Sequence, residues 1–424
     1  MLSRVCGLVF LCKIYKNYTK IAKIKLSEKY FALFFKQRKV KKQYAKFIPF
    51  LLSGNEIKIV LLHIQCQSVV LTETKINCNM KKIIALAATM LLVLCIPSVA
   101  QQKRFEMYAV GFYNLENLFD TIHDAGKNDF EFLPDGTNKW GTMKYVNKVK
   151  NMSEVLAEMA TDMLPVGMAA VGVSEIENSN VLQALIESEA LAARGWKFVH
   201  VEGPDARGVD CALLYNPALF QPYAYKLAPY LLENGSDEYK TRGFLIVSGM
   251  MSGERVHIIV NHWPSRYAKS PARERAGVQV RELKDSLMAE HPDSKVIIMG
   301  DMNDDPDDKS MHKCLGAMRY RDDLKKPSDL YNPWWKVLRE DGIGTLKYKG
   351  NWNLFDQVVF TANLVGKDRS TLKYYKPEIF SRSYMLQTEG KYKGSPKRTH
   401  ASGVWLNGYS DHLPVIIYMV KEVK

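Results

Sequence analysis

Cysteine is scarce where it would matter most. Of the seven in this 424-residue chain, five fall in the first hundred residues, leaving Cys211 and Cys314 for the rest. That excludes a disulfide-stapled scaffold and a cysteine metal site, while spacing does not decide whether the two thiols pair. Net charge is also missing from most of the chain. The formal charge is +14, yet residues 1–100 carry 17 Lys+Arg against 3 Glu, and residues 101–424 carry 42 of each sign. The nucleic-acid or anionic-membrane partner that +14 would suggest therefore has no basis in the larger part. No internal repeat or low-complexity linker divides 101–424, which reads as one domain. What is present is core material: 47% hydrophobic residues and seven tryptophans exclude a disordered chain.

Long apolar runs are absent too. Met80-Lys81-Lys82 opens onto Ile83–Leu94, 12 uncharged residues, short for a bilayer span. The run ends in small residues at Ser98-Val99-Ala100. This is the layout of a secretory signal over 80–100, with Ala100 the last residue removed. A retained anchor and a lipoprotein attached through Cys95 are the alternatives, although Leu92-Val93-Leu94 lacks the small residue expected beside a lipid-modified cysteine. Residues 1–79 are basic and interleave Lys, Phe and Tyr without a steady period. Translation is accordingly expected to start at Met80, with a basic membrane-surface extension as the competing reading. The expected mature chain is 101–424, exported to the periplasm or outside the cell, with no transmembrane span and no stable protein partner implied, hence a monomer.

Within 101–424, Met107–Tyr113, Met168–Val173, Lys197–Val201, Asp210–Tyr215, Phe244–Met250, Arg255–Val260, Val296–Met299, Phe355–Phe360 and Leu413–Met419 predict strands. Lys144–Asp162 places Val146, Val149, Met152, Val155, Leu156 and Met159 at a helical period, and Val181–Ala192 and Pro271–Ala289 read as further helices. Strand–helix alternation followed by strand-rich stretches predicts a mixed α/β protein with more than one sheet. The stretch 363–408, rich in Lys, Tyr, Gly and Ser, either borders the site or forms an irregular edge.

The chemistry lies where apolar runs stop. They end in Asn114 and Glu116, Glu175, Asn261-His262, Asp301 and Asn303, Asp356, and Asp411-His412. Burying so many unpaired polar groups would be costly, so they converge on one cleft or face water. One polar ending is uninformative; six favour convergence. The oxygen-rich set suits a hard cation, Mg²⁺ or Mn²⁺. Two histidines among these loops supply proton transfer or contacts to a phosphoryl oxygen. Together they predict metal-assisted hydrolysis of a phosphate ester.

Asn114-Leu115-Glu116-Asn117, Ser174-Glu175-Ile176-Glu177, Asn261-His262-Trp263, Gly300-Asp301-Met302-Asn303-Asp304, Asp356 and Ser410-Asp411-His412 occur in one order. Over about 105–420 this order resembles the endonuclease/exonuclease/phosphatase superfamily. That superfamily includes pancreatic deoxyribonuclease, abasic-site endonucleases, bacterial sphingomyelinases and inositol polyphosphate 5-phosphatases. The resemblance implies a four-layered α/β sandwich, two mixed β-sheets face to face with helices outside. It implies Glu175 as principal metal carboxylate, Asn114 as ligand or orienter, and Asp411 as a further ligand, direct or through water. Asp301 would orient or deprotonate the attacking water, and Asn303 would hold the scissile phosphate. His412 would activate water or contact the phosphate, its tautomer fixed by Asp356. His262 would touch a phosphate oxygen and assist the leaving group. The implied reaction is in-line attack of water without a covalent enzyme intermediate. An inactive binding protein of the same fold is the alternative from another class, and it predicts damage to this set, all of which is present.

Other residues carry weaker expectations, each balanced by an ordinary structural role. Arg266 is a candidate phosphate clamp, as are Arg275 and Arg207. Trp334-Trp335 with Tyr331 fit either a stacking surface or the core. Asp304-Asp305-Pro306-Asp307-Asp308 fits a turn, a cation site or a repulsive rim, and Glu116 and Glu177 are expected to support the site or face water. Substrate choice is the least legible. An exported member favours a nuclease-like phosphodiesterase acting on DNA or RNA, held by a patch around Lys391, Lys393, Lys397 and Arg398. A phosphomonoesterase or a lipid phosphodiesterase comes second, the latter weakened by the lack of a long apolar hairpin.

Overall fold

The predicted strands show no polar–apolar alternation because both of their faces are covered. Strand β8 (Lys295–Asp301) illustrates this: Ile297 and Met299 point into the core between two sheets, and Val296 and Ile298 into a second core under a helix. The computed structural model describes strands Val60–Gln65 and Ser68–Glu73 and residues 103–232, 240–401 and 403–423. The leader expected over 80–100, with Cys95, lies outside the described residues, as does most of 1–79. The chain divides into two compact units, 1–100 and 101–424. Of the first, the described part is an antiparallel hairpin of the two strands just named.

The second unit is a sandwich of two mixed sheets. Its elements are β1 (Arg104–Leu118), α1 (Thr142–Glu158), β2 (Ala170–Ile176), α2 (Ser179–Glu187), β3 (Lys197–His200), β4 (Asp210–Tyr215), β5 (Gln221–Ala228), β6 (Phe244–Met251), β7 (Glu254–His262), α3 (Ser270–Glu290), β8, β9 (Ala317–Met318), β10 (Leu330–Tyr331), α4 (Trp334–Arg339), β11 (Asp356–Thr361), β12 (Lys373–Ile379) and β13 (Val415–Val423). The first sheet runs β12-β13-β1-β2-β4-β3 and the second β9-β10-β11-β8-β7-β6-β5. Parallel pairs β1–β2 and β7–β8 sit at the heart of each, with antiparallel neighbours outside them. Helices α1 and α2 pack on the outer face of the first sheet through Met152, Val155, Leu156, Val181 and Leu185, and α3 covers the second through Ala276, Val280 and Met288. Helix, sheet, sheet and helix make the four layers.

Close approach of the two sheets requires a missing side chain. A Cβ on Gly172 would lie 2.7 Å from Met299 Sδ and 3.0 Å from Val260 Cγ1 of the facing sheet. Trp334 is fully buried in the inter-sheet core and donates its indole N–H to Val358 O at 2.9 Å, so it offers no surface for stacking. Cys211 and Cys314 are both free thiols, the first buried. Among the described residues no helix is long and apolar enough to cross a membrane.

Candidate active site

Strand register brings three of the predicted residues side by side. In the second sheet Asp301 of β8 pairs with His262 of β7 on one side and with Asp356 of β11 on the other. In the first sheet Asn114 of β1 lies opposite Ser174 of β2, beside Glu175, and both strands shift register just past this point. Glu175 takes a left-handed backbone (φ 58°), as do Glu116 (46°), Asn117 (55°) and Asn303 (53°). For residues other than glycine this is costly, and its clustering at one end of the sandwich marks where local geometry serves the site. The bulge at Glu175 breaks the strand's alternation where its carboxylate turns toward His262.

The two sheets then close on one another. Asn114 of the first donates its side-chain N–H to Asp301 Oδ2 of the second at 3.1 Å, and its oxygen accepts Glu116 N–H at 2.9 Å. His262 Nε2 stands 3.7 Å from Glu175 Oε1 and 3.8 Å from Asp301 Oδ2. His412 Nδ1 is bonded to Asp356 Oδ2 at 2.7 Å, which turns Nε2 toward Asp301 Oδ2 at 3.8 Å. Ser410 ties this loop down: its hydroxyl donates to Asn114 O at 2.7 Å and accepts His412 N–H at 3.1 Å. Asp301 Oδ1 accepts Asn303 N–H at 2.9 Å, and the Asn303 side chain donates to Trp263 O at 3.0 Å. Asp411 lies beside them, Oδ1 3.9 Å from His412 Nε2. Glu175, Asp301, His412 and their partners thus share one cleft.

Burial and neighbours set the charges. Burial pushes Asp301 up to about 7, with Asp356 adding to the rise and His412 opposing it. Burial disfavours charge on His412, but Asp356 and Asp301 outweigh it and hold the imidazole well above its ordinary range. Burial takes His262 the other way, assisted by Arg242 and Arg207, so it stays neutral.

The residues present fit a divalent ion. Glu175 Oε2 accepts Asn117 N–H at 3.0 Å, whereas Oε1 accepts no hydrogen bond among the described residues and stands 3.7 Å from His262 Nε2. Asp356 Oδ1 and His262 Nδ1 are buried without a partner. Among the described residues two side-chain groups are consistent with a divalent metal site: Asp301, Asp356 and His412, and, elsewhere, His200, Glu202 and Asp210. Both are internally engaged, the first by the Asp356–His412 bond and the second by His200–Asp210 at 3.0 Å and Glu202–Lys127 at 2.8 Å. The free oxygen of Glu175 is the better anchor.

Two of the three arginine candidates, Arg266 and Arg275, donate their side-chain hydrogen bonds elsewhere, while Arg207 is half exposed. Arg266 donates to Asn303 O at 3.1 Å and Asp308 at 2.9 Å and stacks on Phe355, bracing the turn that carries Asn303. Arg275 donates to Leu231 O at 3.0 Å, and Arg207 lies 3.6 Å from Asp205. The acidic run is a turn: Asp304 pairs with Arg273 at 2.8 Å, Asp305 accepts Leu354 N–H, and Asp307 holds Arg339. Two cations are central, Arg398, which the sequence suggested only as part of a basic patch, and Lys148, which it did not single out. Arg398 pairs with Glu116 and Asp411, and fully buried Lys148 donates to Thr399 Oγ1 at 2.5 Å and Tyr409 O at 2.6 Å. A lysine and Asn151 interrupting the buried face of α1 were the available signal for the first turn of this network.

A two-sheet sandwich presenting a His–Asp pair, a buried acid beside it and a glutamate with one oxygen left without a hydrogen bond is the build of a metal-using phosphoesterase. Residues 109–421 match the model of the Endonuclease/Exonuclease/phosphatase family, and the chain belongs to it. Solved structures it resembles include a family member from Bacteroides thetaiotaomicron (15% identity, TM-score 0.47, 76% of this chain and 100% of that one). A mannosyl-6-phosphatase of the same organism (14%, 0.47, 74% and 99%) and D. rerio TDP2 complexed with a single-strand DNA product (12%, 0.44, 74% and 99%) are comparable. Identities this low say nothing of substrate. No curated protein matches the sequence significantly.

Proposed function

We propose that the chain is an exported, Mg²⁺- or Mn²⁺-dependent phosphodiesterase of nuclease-like type. The observation that carries the reading is the convergence of Glu175, Asp301 and the His412–Asp356 pair from both sheets, with Glu175 Oε1 unengaged. Glu175 would hold the metal, with the oxygens of Asn114 and Asp411 beside it. When bound, the ion stabilises charge developing on phosphoryl oxygens. Asp301, steadied by Asn114 and by Asn303 N–H, takes the proton from the attacking water. Asp356 fixes the His412 tautomer, and the imidazolium donates to a phosphoryl oxygen through Nε2. Neutral His262 contacts a second oxygen on the leaving side.

The full chain, stripped of metal and resupplied with Mg²⁺ or Mn²⁺, tests the substrate class on plasmid DNA, a generic phosphodiester, a phosphomonoester and sphingomyelin. The reading predicts plasmid nicking that His412→Ala abolishes. Turnover of the monoester with intact plasmid would replace it by a phosphomonoesterase. N-terminal sequencing of the protein recovered from cells checks export: a chain beginning at Gln101 supports it, and a retained leader counts against it.

A further inference from the structure

Arg398 lies between two carboxylates. Its Nε–H donates to Glu116 Oε1 at 3.0 Å and an Nη2–H to Asp411 Oδ2 at 2.7 Å, while Thr399 N–H reaches Glu116 Oε2 at 2.7 Å. Both oxygens of Glu116 and one of Asp411 are thereby engaged. Glu116 is buried, and a carboxylate there requires a counter-charge. The Arg398 side chain is 45% exposed at the rim of the cleft. Of the five N–H donors of a guanidinium, these bonds commit two.

We infer that Arg398 is the built-in second cation of this site: it holds Glu116 and Asp411 where a second metal ion would otherwise bind, and its uncommitted N–H groups take the non-bridging oxygens of the substrate phosphate. The centre accordingly takes a single divalent ion, at Glu175. This rests on the phosphoesterase reading above. A guanidinium suits the task because its planar fork bridges two carboxylates and still presents donors to a phosphate, which a lysine ammonium does not.

Calorimetric titration of the metal-free full chain with Mn²⁺, without substrate, tests it in the wild type, Glu175→Gln, Arg398→Ala and Arg398→Lys, each checked for fold by circular dichroism. The expected result is one equivalent in the wild type that Glu175→Gln loses, and a second equivalent gained by Arg398→Ala at the vacated Glu116–Asp411 pair. With a generic phosphodiester, KM should rise by about 10-fold or more in Arg398→Ala, the loss of a charge-assisted bond, and Arg398→Lys should recover part of it. Two equivalents in the wild type, both lost on mutation of site carboxylates, would overturn the inference, as would an Arg398→Ala protein with one equivalent and unchanged KM. Because stoichiometry is read without substrate, absence of wild-type turnover would sink the phosphoesterase reading, whereas two equivalents with turnover intact would sink only the role of Arg398.

Discussion

At the scale of single residues, the 2.7 Å bond between His412 and Asp356 sets the direction of the chemistry, because it fixes which ring nitrogen faces Asp301. Asp356→Asn keeps the shape and loses that control. It should lower kcat by about 10²–10⁴-fold, the usual worth of a positioned acid or base, with Mn²⁺ binding unchanged. An unchanged kcat would remove Asp356 from the site. Glu177 offers a test of electrostatics away from catalysis. Burial pushes its carboxyl up to about 8, with Asp120, Asp124 and Asp129 adding to the rise and only Asp120 N–H opposing it. The folded state therefore keeps a proton between 4.5 and about 8 that the unfolded chain has released. The stability this gives is fully present below 4.5 and is lost as pH rises through about 8. Glu177→Gln should raise the melting temperature above about pH 8 and change it little near about pH 4. Superimposable melting curves across that range would contradict the account.

At the scale of elements, the site is a consequence of register. Parallel β7 and β8 and antiparallel β11 bring His262, Asp301 and Asp356 into one row, and Gly300 permits it: a Cβ there would lie 2.2 Å from Asn261 O. That oxygen is backbone and cannot rotate aside. Gly300→Ala should cost about 1–3 kcal/mol of stability, as overpacking does, and separate His262 from Asp301, lowering activity as well. An unchanged urea midpoint would contradict this. The same elements show what the sequence could reveal. Strands buried on both faces are visible as apolar runs, and the abrupt polar ending of each run locates the site. Edge strands β5 and β12 escaped notice because an edge facing water carries Lys, Tyr and Gln, without apolar periodicity. Arg398 was legible only as one cation among many in a lysine-rich segment. Its role depends on meeting Glu116, 282 residues away in sequence.

At the scale of the whole molecule, charge is local. Residues 101–424 are neutral, yet five carboxylates crowd one end of the sandwich. A neutral domain makes few phosphate contacts, so if plasmid is cut, the salt dependence of binding should be shallow, a slope corresponding to about two or three released counterions. A steep slope would contradict this and point to a local basic surface such as the patch around Lys391, Lys393 and Lys397. The central claim is a metal-using phosphoesterase site built from Glu175 and the His412–Asp356 pair. Its most direct measurement is the initial rate of phosphodiester hydrolysis by the metal-free full chain before and after Mn²⁺, in parallel with Glu175→Gln and His412→Ala. The account predicts turnover only with metal and only in the unmodified protein. Equal rates in all three proteins, or turnover without metal, would contradict it.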